Sequence, residues 1–114
     1  MVADADERLQ MFGGAEPMVS AGIAPSLAAM AAEQRWAAVA ADNPAVESTP
    51  MPHGVENAHI TMQRNLGILF GELFLFGDLA RAAAADRRWD FFFVSAPLWV
   101  PGAMGSPANA IAIR

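Results

Sequence analysis

Residues 59 to 72 read HITMQRNLGILFGE, a segment that opens on a histidine and closes on a glutamate. The chain has only two histidines, His53 and His59. An imidazole and a carboxylate brought to one point can hold a hard or borderline metal ion, or move a proton. A glutamate that follows Leu69-Phe70-Gly71 needs a cation, a donor or a metal if it is buried. The alternative is a solvated or structural histidine near a long loop.

The elements that must position this pair follow from the chain around it. His59 to Leu66 reads as a helix of about 12 Å. Residues 68 to 72 read as a returning strand of about 16 Å. Gly67 between them ends the helix and reverses the chain, which glycine does at little steric cost. Up by one and back by the other sets His59 and Glu72 at the same end of the layer. The positive end of the helix dipole disfavours an imidazolium at His59. A neutral ring there can ligate a metal or act as a general base.

The other elements place this unit in an α/β chain. APSLAAMAAEQRW reads as a helix, with Ser26 as its N-cap and Leu27, Met30 and Ala31 on one face. WAAVAAD has the length of a short buried strand. Residues 43 to 58 hold three prolines and form a long loop. ILFGELF is a strand interrupted at Gly71, and Asp78 is expected to cap the helix LARAAAADRR. WDFFFVSAPLWV is the strongest strand signal, its Phe91-Phe92-Phe93 run fitting a strand covered on both faces. ANAIAIR closes the chain as a strand. The order is α-β-loop-α-β-α-β-β, a mixed sheet with flanking helices. Residues 1 to 19 are weakly patterned, with one short helix expected over 4 to 11. No repeat or linker divides residues 1–114, so a single domain is expected.

Composition excludes several classes. The 114 residues are 54% hydrophobic and 17% charged, which marks a globular chain. Net charge is −5, and the seven basic residues, all arginine, are scattered. Nucleic-acid binding leaves a basic patch, and none is present in the sequence. No apolar run approaches the ~20 residues that span a bilayer. The acidic start lacks a secretory pattern, and cysteine is absent. Cytoplasmic localisation is expected, with no membrane partner and no disulfide.

Several residues carry a resemblance. The order ADNPAVE, a histidine, RNLGILFGELFLFGDLA, then FFFVSAPLWVPGAMGSPANAIAI resembles the C-terminal half of the cyclase family. These metal-dependent hydrolases include kynurenine formamidase and isatin hydrolase. The likeness covers roughly residues 20 to 114. Its most specific parts are Gly71-Glu72-Leu73 with Asp78-Leu79-Ala80, and Gly105-Ser106-Pro107 with Asn109.

The resemblance implies the C-terminal portion of a swivelling β/β/α domain. It implies zinc or manganese, and hydrolysis of a small-molecule amide, formamide or lactam. Glu72 is similar to the family's metal-site carboxylate, and His59 to its metal-site or acid/base residue. The family's upstream His-x-Gly-Thr-His-x-Asp motif is absent, and His53-Gly54-Val55-Glu56 does not replace it. The chain is therefore expected to be a truncated member, inactive alone. The rival expectation is a non-catalytic fragment that associates with itself or with a longer relative, consistent with a homo-oligomer. A third reading, an unrelated α/β binding module, requires His59 and Glu72 to lie far apart.

Other residues offer less. Ser106 has no base placed to activate it, so a nucleophile role is rejected. The loop VPGAMGSPAN reads as a turn between strands. Asp42 and Glu47 flank Pro44 in a loop at a strand end, either near a site or as a solvated carboxylate pair. Trp36, Trp89 and Trp99 are expected to pack the core or a partner surface.

Overall fold

The computed structural model describes residues 19–50 and 53–114. The expected helix over 4 to 11 lies outside the described residues. The element order is α1 (Leu27–Glu33), β1 (Ala38–Ala40), a π-helix (His59–Arg64), β2 (Leu69–Gly71), α2 (Gly77–Asp86), β3 (Phe92–Val94) and β4 (Ile111–Ile113). The structure is mixed α/β, with small parallel and antiparallel sheets and flanking helices. Its backbone forms two compact units, one ending at Phe74 and one running from Leu75 to Arg114.

In the first unit β1 and β2 pair in parallel, Ala38 opposite Leu69 and Ala40 opposite Gly71. A parallel pair needs a crossover, and the long loop with the π-helix supplies it. The pairing runs on past the strands. Ala41 N–H donates to Gly71 O at 2.9 Å, and Phe74 N–H to Ala41 O at 3.0 Å. Beneath the pair sits a core of Ala31, Ala58, Met62 and Ile68, with Ala28, Trp36, Val39 and Phe70 packed on it. Alanines at positions 31 and 58 let α1 approach the π-helix closely, and Met62 fills the space between. The inward face of α1 is thus Ala28 and Ala31; Met30, expected on that face, is exposed. Ser26 precedes α1, but its side chain makes no capping bond, because its backbone is already helical at φ −60° and ψ −19°. An N-cap needs an extended backbone to turn its hydroxyl onto the first N–H groups.

In the second unit β3 and β4 pair antiparallel, Phe92 opposite Ile113 and Val94 opposite Ile111. The ladder extends through side chains. Ser95 Oγ donates to Ala108 O at 2.8 Å, and Asn109 Nδ2 to Ala96 O at 3.0 Å. Helix α2 starts at Gly77, so Asp78 stands in its first turn rather than at the cap. There it pairs with Arg81, one turn on. Carboxylates in a first turn still favour the helix through its dipole.

The phenylalanine run departs from expectation. Phe91, Phe92 and Phe93 are all exposed, Phe92 by 67%. A two-stranded sheet has too little width to cover both of its own faces. Trp89 and Trp99 are exposed as well, whereas Trp36 packs on the core. Among the described residues no helix is long and apolar enough to cross a membrane.

Arg114 ties the end of this unit together. Its guanidinium donates to Asp86 Oδ1 at 2.5 Å and to Arg88 O at 2.7 Å. The Arg88 backbone N–H holds the Asp86 carboxyl below its ordinary range, and Arg114 adds to the effect. A lowered carboxylate stabilises the fold above its unfolded-state value, and that contribution is lost as pH falls through the folded value. The relevant window lies below about pH 4. We expect Asp86→Asn to flatten the acid limb of an unfolding curve followed by near-ultraviolet dichroism of Trp89. An acid limb identical to wild type would assign no role to this carboxylate.

Candidate active site

The π-helix begins, as any helix does, with backbone N–H groups that need acceptors from outside the helix, and three of them, on Ala58, His59 and Ile60, meet side-chain oxygens. Glu47 Oε2 accepts Ala58 N–H at 2.6 Å and His59 N–H at 3.3 Å. Asn57 Oδ1 accepts Ile60 N–H at 2.9 Å. All three donors are therefore met by side chains from the loop and its end. Glu47 also reaches the imidazole, its Oε1 lying 2.9 Å from His59 Nδ1. Phe70 of β2 meets the same ring edge-on, at a centroid distance of 5.0 Å.

Glu47 is buried, at 7% exposure. Its backbone is held from the other side by Ile23 N–H, which donates to Val46 O at 2.9 Å, and by a bridge between Ile23 and Glu47. Gly22 permits that approach, since a Cβ there would lie 2.2 Å from the Glu47 carbonyl carbon.

Glu72 arrives from β2. At the far end of the π-helix, Gly67 has φ +72°, a conformation that glycine adopts without strain. Gly67 N–H donates to Gln63 O at 3.0 Å and Ile68 N–H to Met62 O at 3.2 Å, which closes the helix and starts the return. Glu72 follows β2 by one residue. Its Oε1 accepts Val46 N–H at 3.1 Å and lies 3.5 Å from His59 Nε2. That spacing is within ion-pair range but longer than a well-formed hydrogen bond. The Glu72 side chain is 33% exposed and that of His59 36%, so the pair opens to solvent.

The structure thus brings His59 and Glu72 together, which removes the reading that needed them far apart. It also adds Glu47, one of the two loop carboxylates weighed from the sequence. Asp42, the other, is exposed. So is His53. Ser106 Oγ donates to Pro107 O at 3.3 Å, and no base stands beside it among the described hydrogen bonds. Among the described residues, His59 Nε2 and Glu72 Oε1 alone converge on one open point, because Glu47 is turned to Nδ1 and the backbone. Accordingly, no group of three or more His, Cys, Asp or Glu side chains is placed to hold a metal ion among the described residues.

This chain is 37% identical, over 98% of its length, to a solved structure described as the crystal structure of a novel cyclase, with a TM-score of 0.73. That likeness supports the cyclase family. The cyclase-like chain spans 35% of the length of that neighbour. No family model and no curated protein matches it. Within the cyclase-like fold the matched span takes in both β-pairs and the His59–Glu72 convergence.

The close approach at Gly22 carries a consequence for the site. We expect Gly22→Ala to destabilise the chain by about 1–3 kcal/mol, the usual cost of overpacking against backbone that cannot yield. Urea unfolding measures this. Unchanged stability would show that the Ile23–Glu47 bridge does not constrain the carboxylate.

Proposed function

We propose that the chain is part of a metal-dependent hydrolase of amide, formamide or lactam bonds, of the arylformamidase type within the cyclase family. The observation that carries this reading is the convergence of His59 Nε2 and Glu72 Oε1 at 3.5 Å. Two ligands of one tetrahedral zinc stand about 3.3 Å apart, given bonds near 2.0–2.1 Å. An imidazole nitrogen and a carboxylate oxygen suit zinc or manganese. The donor set therefore fits two positions of one ion. A catalytic zinc takes three protein ligands as a rule, so further ligands come from another segment or another chain.

His59 and Glu72 would hold the ion, and Val46 N–H steadies the carboxylate that does so. A divalent ion in such a site supplies Lewis-acid polarisation of a carbonyl and a water acidified toward neutral pH. Where His59 is not a ligand of the ion, its Nε2, facing solvent beside Glu72, would instead hold or release a proton near the substrate. The substrate is a small molecule that enters from the exposed side of the pair.

A titration of the 114-residue chain with zinc, followed by imidazole nitrogen resonances, tests the reading. His59 signals are expected to move and His53 signals to stay, with the movement lost in Glu72→Ala. Hydrolysis of N-formylkynurenine or isatin by this chain is expected to be negligible, because two ligands hold a metal weakly. A titration that leaves His59 unmoved would sink the metal reading.

A second reading, a module that associates with itself or with a longer relative, is favoured by the surface of the second unit. Leu75 is 97% exposed, Trp99 90% and Ile111 58%. Apolar surface of that kind marks interaction sites, and the edges of a two-stranded sheet remain open to pairing. Light scattering over a dilution series is expected to show a dimer or larger species that dissociates on dilution. A single species of 12.1 kDa at every concentration would remove this reading.

A further inference from the structure

Glu47 lies outside the pair on which the proposed chemistry rests, yet it makes more polar contacts with His59 than any other described residue. Its two oxygens are differently engaged. Oε2 takes two backbone N–H groups, and Oε1 faces only the ring nitrogen Nδ1 at 2.9 Å. A carboxylate has acceptors and no donor. The ring must therefore bring a hydrogen to Nδ1. The opposite tautomer would set the Nδ1 lone pair against an anionic oxygen at hydrogen-bond distance.

The Phe70 edge contact at 5.0 Å holds one side of the imidazole, and the His59 N–H bond to Oε2 holds its backbone to the same carboxylate. Glu47 in turn has little freedom, because it is buried and its backbone is gripped at Ile23 and Gly22.

We propose that Glu47 is a positioning residue that fixes His59 as the Nδ1–H tautomer, so that the bare Nε2 lone pair faces Glu72. This rests on the metal reading for its use in function, since a neutral histidine binds a metal through the nitrogen without hydrogen. It stands on its own as a statement about the ring. A carboxylate behind a ligating imidazole orients the ring and raises its basicity, and loss of such a partner costs ten- to a hundredfold in metal affinity.

Glu47→Gln is the sharpest substitution. Glutamine offers one acceptor oxygen and one NH₂ group in the same shape. The oxygen keeps the two backbone donors of the helix start, and the NH₂ group turns to Nδ1. Nδ1 must then accept, and the hydrogen moves to Nε2. The lone pair facing Glu72 is lost while the shape of the site is kept.

The test is long-range ¹H–¹⁵N correlation of the imidazole nitrogens in the metal-free 114-residue chain at pH 8. His53→Gln assigns the signals, because the chain has only two histidines. In wild type, His59 is expected to show a protonated Nδ1 and a bare Nε2. In Glu47→Gln the pattern is expected to reverse, with zinc affinity at His59 reduced ten- to a hundredfold. A wild-type ring protonated at Nε2, alone or together with Nδ1, overturns the proposal. So does a folded Glu47→Gln chain that keeps the wild-type tautomer. If Glu47→Gln does not fold, as judged by circular dichroism, the wild-type pattern decides alone. A correct tautomer in a chain whose His59 ignores zinc would sustain the role of Glu47 and reject the metal reading.

Discussion

One buried carboxylate organises the first half of this protein. Glu47 takes three donors from two consecutive residues, the backbone N–H groups of Ala58 and His59 and the ring of His59. A carboxylate at this depth is costly unless its oxygens are filled, and here both are. The same bonds close the start of the π-helix, whose free N–H groups would otherwise be left without acceptors. The loop from residue 43 to 58 is thus tied at both ends. Val46, next to Glu47, is fully buried, which anchors the carboxylate from the apolar side.

The parallel pair of β1 and β2 supplies the second fixed point. Pairing continues past Gly71, so the chain at Glu72 runs beside residues 41 to 43. Val46 N–H donates to Glu72, and Val46 is chain neighbour to Glu47. The two glutamates therefore bracket one histidine from opposite ring nitrogens, and a single loop holds both. Bulges of π-helix type occur often where a helix must aim a side chain at a site, and His59 is the first residue of this one.

The second unit follows a different logic. Its described side-chain ties are polar: Ser95 to Ala108 and Asn109 to Ala96 beside the strand pair, and Arg114 to Asp86 and Arg88. Its large apolar side chains are mostly exposed, although Ala83 of α2 is buried. The cyclase neighbour is nearly three times as long as the matched span. Antiparallel strands as apolar as Phe91 to Val94 expect cover on at least one face, yet Phe91, Phe92 and Phe93 are all exposed in the second unit.

The local steps of this fold were legible in the amino-acid sequence. The order of elements follows from periodicity and from the loop prolines, and the reversal at Gly67 follows from the one residue type that turns there cheaply. From helix length and strand length, His59 and Glu72 had to return to one end, and they do. Helix caps were less legible. Ser26 and Asp78 have the right chemistry, but a cap also depends on the backbone angles, which neighbouring packing sets. Exposure of the phenylalanine run was hidden too, because a sequence records how apolar a strand is and not whether a layer exists to cover it. Glu47 is the clearest case. It lies twelve residues before His59 in a proline-rich loop, where a carboxylate normally faces water. Only the approach of Gly22 and Ile23, the burial of Val46 and the arrival of the helix start turn it inward. Those contacts join residues far apart in the chain, so tertiary structure alone decided which carboxylate stands behind the histidine.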